Sequence, residues 1–215
     1  MVRAQVTSTR PDLFRLYLVT DRQRTRGRPL LDVVSAALEG GVDAVQLREK
    51  DLSGAALHEL ACRLRDVTRR SGALLLINDR IDIALTCEAD GVHLPADSFA
   101  PADARRLLGQ NRLIGVSTHS IEQAQAAAGG GADFIVFGPV FETPSKRAFG
   151  APVGLAALAQ ATQAVTQPVL AIGGVRPERV ASVLEHGARG VAVVAAILEA
   201  DDPRVAAAEL RAALG

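Results

Sequence analysis

The feature that most restricts this chain is a regular alternation of short, almost wholly apolar runs with longer stretches of helical periodicity. The runs fall at residues 14–20, 44–48, 74–77, 91–94, 112–117, 134–137, 169–172 and 190–194. Strands apolar on both sides must be covered on both sides, as in a parallel sheet between a filled interior and a layer of helices. Helix-period segments lie between them at 30–38, 54–70, 81–87, 101–108, 121–128, 155–164, 177–185 and 203–214. Pro101, Pro177 and Pro203 suit first helical turns. Gly40, Gly72, Gly109, Gly129 and Gly187 suit helix ends. One pattern occurs four times, as Gly41-Val42-Asp43-Ala44-Val45, Glu88-Ala89-Asp90-Gly91-Val92, Gly131-Ala132-Asp133-Phe134-Ile135 and Gly187-Ala188-Arg189-Gly190-Val191. A helix ends, a small residue turns the chain and an apolar strand begins, about once per two βα units. Eight such units in 215 residues predict an α/β fold, a single-domain (β/α)8 TIM barrel over residues 14–215, with 1–13 as an N-terminal extension. The alternative, an open doubly wound sheet, lacks the Gly-x-Gly-x-x-Gly turn after its first strand.

Charge and cysteine content exclude several function classes. Twenty-four basic residues balance 24 acidic ones, so no broad field favours nucleic acid or an anionic membrane. No apolar run approaches the ~20 residues that span a bilayer. The first ten residues carry no apolar signal core. Cys62 and Cys87 offer neither a disulfide framework nor metal-ligand spacing, which fits two thiols in a reducing cytoplasm. Only Lys50 and Lys146 are lysines among the 24 basic residues. A slender ammonium does different work from a guanidinium fork, so both positions draw notice.

A barrel of this kind carries its chemistry where strands end and loops begin. Gln46, Arg48 and Lys50 alternate along the end of the second run and are expected to point toward the mouth. Asn78 and Asp79 end the third run, where they could orient a polar ring or hold a divalent ion; Asp79 could equally cap the next helix. Gly173-Gly174 and the small-residue turn Val194-Ala195-Ala196 match the usual barrel phosphate site, built from backbone amides and a helix start. Thr143, Ser145 and Lys146 could add donors from a loop of about 17 residues, long enough to suggest a lid. Arg48, Lys50 and Lys146 would form a second cationic cluster. His58 and His186 fall within helices, and His93 within a strand suits the core. His119 follows a strand end beside Ser117 and is the histidine best placed to move a proton.

These blocks together resemble the thiamine phosphate synthase superfamily over about residues 14–214. They are Gln46-Leu47-Arg48-Glu49-Lys50, Ile77-Asn78-Asp79, Asp90-Gly91-Val92-His93-Leu94, Gly115-Val116-Ser117-Thr118-His119-Ser120, Thr143-Pro144-Ser145-Lys146 and Ala171-Ile172-Gly173-Gly174. The resemblance implies a barrel acting on a small-molecule thiazole phosphate in thiamine biosynthesis, with no nucleic-acid or membrane partner and with oligomeric state open. In the synthase pattern Arg48, Lys50, Asn78, Ser117 and Lys146 would handle a pyrimidine diphosphate. Thr143, Ser145, Gly174, Val194 and Ala195 would hold the thiazole phosphate. Magnesium would need Asp79 and a second aspartate, but Ser98 stands at that second position, Ala96 replaces a glutamine, and Ala195 replaces a serine. These departures favour the superfamily's other activity, a TenI-type thiazole tautomerase with His119 as its proton-transfer group and no cofactor. The alternatives are the synthase itself, with magnesium, and a catalytically silent ligand-binding regulator.

Overall fold

The computed structural model describes residues 14–143 and 151–215, so the extension expected over 1–13 lies outside the described residues. The strands are β1 (Leu16–Val19), β2 (Ala44–Leu47), β3 (Leu74–Asn78), β4 (Gly91–Leu94), β5 (Leu113–Thr118), β6 (Phe134–Phe137), β7 (Val169–Ile172) and β8 (Gly190–Val193). They pair in parallel in chain order, and β8 returns to β1 to close the barrel. Around them run α1 (Leu30–Glu39), α2 (Gly54–Ser71), α3 (Ile81–Thr86), α4 (Pro101–Leu108), α5 (Ile121–Gly129), α6 (Gly154–Ala164), α7 (Pro177–Glu185), α8 (Ala195–Leu198) and α9 (Pro203–Leu214). The TIM barrel expected from the alternation is the observed fold. Among the described residues the added elements are a 3-10 turn at Arg22–Arg24 and α8, both too short to announce themselves by periodicity. Most strand and helix ends fall within a residue or two of expectation.

Side chains alternate along each strand and so sort into two nested cores. Leu18, Val45, Leu75, Val92, Ile114 and Ile135 face the helices and join the larger cluster. Tyr17, Ala44, Leu76, Phe134, Leu170 and Ala192 face inward and fill the barrel, with Phe14 packed among them. The chain has only seven aromatic residues, six Phe and one Tyr, and three of them plug this interior. Phe14 stacks edge-on to Phe134 at 5.0 Å and tilts against Tyr17 at 5.1 Å. Room for the Phe134 ring comes from Gly115 on β5: a Cβ there would stand 2.1 Å from the ring. Large and small residues are thus matched across the interior, as close packing requires.

Parallel strands cannot be joined by tight hairpins, so each strand start needs its own fastening. The repeated aspartates supply it. Asp43, just before β2, accepts the backbone N–H groups of Arg15 and Leu16 at the start of β1, each at 2.9 Å. Asp90, just before β4, accepts the N–H of Leu75 in β3 at 2.7 Å. Asp133, before β6, accepts the N–H of Ile114 in β5 at 2.7 Å. Each carboxylate is also held by an arginine from the surrounding helices: Arg211 of α9 at 3.0 Å, Arg65 of α2 at 2.6 Å and Arg105 of α4 at 2.6 Å. In the fourth repeat Arg189 replaces the aspartate, and its carbonyl accepts from Arg15 Nε at 3.3 Å. The repeat is therefore a set of carboxylate clamps at the face opposite the mouth.

The Asp90 clamp is bidentate, Arg65 reaching both oxygens at 2.6 and 3.1 Å, and both side chains are mostly shielded from water. Asp90→Ala strands a guanidinium and a strand amide together, and should cost about 2–4 kcal/mol of unfolding free energy. Arg106→Ala removes an exposed pair with Asp103 and should change stability by less than about 0.5 kcal/mol. Urea unfolding of the two variants beside the parent checks both values.

Candidate active site

Because all eight strands run the same way, their C-terminal ends converge on one mouth. Its floor is polar. Gln46, 3% exposed, lies inside the barrel, with its Nε2 donating to Tyr17 Oη at 3.1 Å. Tyr17 Oη lies 3.4 Å from His93 Nδ1, and His93 Nε2 lies 2.8 Å from Ser117 Oγ. His93 is the satisfied core histidine expected of a residue inside a strand. Burial pushes its imidazole down to about 3, and the nearby Arg48 charge acts in the same direction. Burial likewise pushes the Tyr17 hydroxyl above its ordinary value. Both groups are therefore neutral across the physiological range. Asn78, at the end of β3, sits opposite His93 in the strand register.

The end of β2 departs from simple alternation. Sequence alternation aims Gln46, Arg48 and Lys50 together at the mouth, but β2 stops at Leu47. Past that point the backbone turns, and Lys50 is exposed on the turn while Arg48 is half-buried. The residue drawn inward is Glu49, 5% exposed. It accepts from Thr20 Oγ1 at 2.7 Å and from the Arg22 N–H at 3.0 Å, while Thr20 Oγ1 also accepts the Arg48 N–H at 2.9 Å. Glu49 thus ties the β1 and β2 loops together and holds the Arg48 backbone.

Asp79 adopts a left-handed backbone, φ 65°. It does not cap α3: the N-cap is Arg80, with no side-chain bond to the helix. Instead the Asp79 carboxylate accepts the Ser98 hydroxyl. This carboxylate and hydroxyl, drawn from the β3 and β4 loops, could supply at most two ligands to a magnesium ion, which would have to take the rest from water and substrate phosphates. Among the described residues no cluster of three His, Cys, Asp or Glu side chains could hold a metal by itself.

On the opposite side, Gly173 (φ 96°) and Gly174 (φ 64°) turn the chain after β7. A Cβ on Gly173 would meet Pro139 at 2.5 Å, and one on Gly174 the Glu142 carbonyl at 2.6 Å. These glycines are therefore also required by the loop after β6, whose Val140 and Phe141 N–H groups bond the Ile172 and Gly173 carbonyls at 2.8 and 3.0 Å. Enlarging Gly174 would displace that loop before it reached an anion. Val194 is the N-cap of α8, and Ala195 its first residue. The opening amides of any helix lack intrahelical acceptors. Thr143 is half-buried at the edge of this region; Ser145 and Lys146 lie outside the described residues. His119 is exposed one residue past β5, its Nδ1 bonded to the Gly138 carbonyl, which leaves Nε2 as the nitrogen facing away from that bond. His58 and His186 make local helix contacts with Cys62 and with the Ser182 carbonyl.

One part of the rim was not anticipated from sequence. Arg24 pairs with Glu199 and Arg26 with Asp201, while Arg28 donates to the carbonyls of Leu198 and Asp201 at 2.8 and 3.0 Å. This comb from the β1 loop grips the C-terminal end of α8. Its signal was legible: arginine at every second position from 22 to 28, against acidic residues at 199 and 201.

A closed barrel with a cation, a carboxylate–hydroxyl pair and paired glycines before a helix start has the layout of the barrels that handle phosphorylated small molecules. The family model described as thiamine monophosphate synthase matches residues 16–197, and the chain belongs to that family. It is 54% identical over 201 residues to a Geobacter sulfurreducens protein provisionally named thiamine-phosphate synthase, covering 94% of each chain. It is 47% identical to the thiamine-phosphate synthase of Chloroflexus aurantiacus, covering 93% of this chain and 92% of that one. Among solved structures, the thiamine phosphate pyrophosphorylase of Pyrococcus furiosus superposes with a TM-score of 0.86 at 36% identity, covering 95% and 96% of the two chains. No described helix is long and apolar enough to cross a membrane.

The buried His93 makes stability depend on acid. The unfolded chain takes up a proton near 6.5, whereas the folded imidazole resists it down to about 3. Protons therefore favour unfolding in that window, and stability should fall as pH drops through it. From pH 7 to 5 this single group contributes a loss of about 2 kcal/mol. His93→Gln should show a correspondingly shallower decline in urea-unfolding free energy between those two values; an identical decline would show that His93 is not kept neutral.

Proposed function

We propose that this chain is a transferase of thiamine biosynthesis, a thiamine-phosphate synthase. It would join hydroxymethylpyrimidine diphosphate to a thiazole phosphate and release pyrophosphate. The carbon–oxygen bond to the diphosphate breaks, and a bond from that carbon to the thiazole nitrogen forms. The near end-to-end likeness to relatives that carry synthase names supports this reading over the tautomerase favoured by Ser98, Ala96 and Ala195. Those three positions are single departures within a match that runs through all eight βα units.

The chemistry asks for charge at one place and shape at another. Departing diphosphate needs cations, and Arg48 and Lys50 can offer them, with Lys146 added by the family resemblance. Asn78 and the Ser117 hydroxyl can orient the pyrimidine. The Gly173-Gly174 turn and the amides at Val194-Ala195, with Thr143 and Ser145, suit the thiazole phosphate and would fix the nitrogen that attacks. Asp79, beside Ser98, would hold magnesium largely through substrate phosphate oxygens, and the ion when bound neutralises the leaving group. The serine at position 98 then weakens magnesium affinity and leaves the reaction type intact.

Purified protein given both substrates and magnesium should form thiamine phosphate. Ser98→Asp should lower the magnesium concentration needed for half-maximal rate. His119→Asn should leave synthase turnover nearly unchanged, since no proton transfer by that residue is required. In a tautomerase the same substitution would cost about 10²–10⁴-fold. A protein that aromatises thiazole carboxylate phosphate in a His119-dependent way, and makes no thiamine phosphate, would overturn the synthase reading.

A further inference from the structure

The buried polar chain beneath the mouth has a direction. Gln46 Nε2 can only donate, so at 3.1 Å it occupies Tyr17 Oη as an acceptor. The Tyr17 proton then needs an acceptor of its own, in a residue with no exposed surface. The remaining polar atom bonded to it is His93 Nδ1, at 3.4 Å. A neutral imidazole that accepts at Nδ1 carries its hydrogen on Nε2. His93 Nε2 thus donates to Ser117 Oγ at 2.8 Å, and the Ser117 O–H is released to donate elsewhere. Ser117 is only partly buried and stands at the end of β5, on the mouth side of His93. Around the ring, Tyr17 and Phe134 pack at 5.8 Å each.

We propose that Tyr17 and His93 are positioning residues: with Gln46 they form a one-way relay that makes the Ser117 hydroxyl an obligate donor to a hydrogen-bond acceptor, a ring nitrogen or diphosphate oxygen, on the pyrimidine substrate. The inference rests on the synthase reading and deepens it by stating what this part of the site demands. A pyrimidine offering an acceptor at that point is bound, and one offering a donor meets an opposed proton and an unpaired partner. Electrostatics support the arrangement. Burial, and to a lesser degree the neighbouring Arg48 charge, keep the imidazole unprotonated, so the relay does not reverse between ordinary acidic and basic conditions. The opposite direction, with Ser117 donating inward, requires the Gln46 amide turned end for end so that its oxygen faces Tyr17.

Two measurements test this. The first is nitrogen-15 NMR of histidine-labelled protein, with the His93 signals identified by their absence from His93→Gln. The relay requires a hydrogen on Nε2, a bare Nδ1 and no titration between pH 5 and 8. A hydrogen on Nδ1, or titration near the ordinary histidine value, would overturn it whether or not the protein is a synthase. The second is a double-mutant cycle on synthase turnover. Tyr17→Phe and Ser117→Ala should each lower kcat/KM for the pyrimidine diphosphate about five- to tenfold, with KM for the thiazole phosphate unchanged. The double variant should be no worse than Ser117→Ala, because both changes remove one donation. Multiplying losses, or equal losses toward both substrates, would assign Tyr17 a general structural role and sink the relay. Absence of all turnover in the parent protein would count against the synthase reading and leave the NMR result to decide the relay.

Discussion

A parallel barrel has no turns to hold neighbouring strands together, so everything above its base depends on how the strand starts are fastened. In this protein an aspartate, a strand amide and a helix arginine make the fastening, and the unit occurs three times. Each carboxylate comes from the segment leading into an even-numbered strand and binds the odd-numbered strand before it. Register between those two strands follows, and with it the height at which every inward side chain sits. The arginine from the outer layer ties that height to a helix. Strand pairing and helix packing are thereby coupled through one charged group.

From that register the interior takes its composition. Tyr17, Gln46 and His93 meet inside the barrel because their strands begin at matched levels. Once there they cannot find water, so each polar atom must be met by another. The result differs from the rim a few ångströms above, where guanidinium and carboxylate groups are half in solvent and act through charge. Inside the barrel Tyr17, Gln46 and His93 are uncharged, and hydrogen-bond direction carries the information instead. The synthase proposed here, with a diphosphate and a neutral heterocycle to recognise, would have use for both kinds of contact.

Much of this was legible from the sequence, and the rest failed for identifiable reasons. Continuous apolar runs and period-3.6 patterns located all eight strands and the eight longer helices, since both signals are local. α8 was too short to carry a period. The four repeats were recognisable, but the purpose of their aspartates was not, because the amides they bind lie 15 to 28 residues away in the chain. The same distance problem hid the Tyr17–His93 contact, 76 residues apart. Alternation misdirected the reading of Lys50 because it presumes a strand, and β2 ends three residues earlier. For Asp79 the sequence left a polar or ion-holding role and a helix cap equally open; its left-handed backbone and the Ser98 hydroxyl remove the cap. The place of Gly173 and Gly174 at the C-terminal end of β7 was anticipated, but their service to the β6 loop was not.

The clamps stand at one end of the barrel and the residues of the mouth at the other, and this separation bears on how such a chain can diverge. A replacement at the rim, such as serine at 98, meets no fastening and is judged by selection on chemistry alone. A replacement at Asp43, Asp90 or Asp133 is judged on whether the chain folds. Descendants of one ancestral barrel can therefore drift between related reactions without passing through an unfolded intermediate in their history. The end of the barrel opposite the mouth is the part held to the folding requirement.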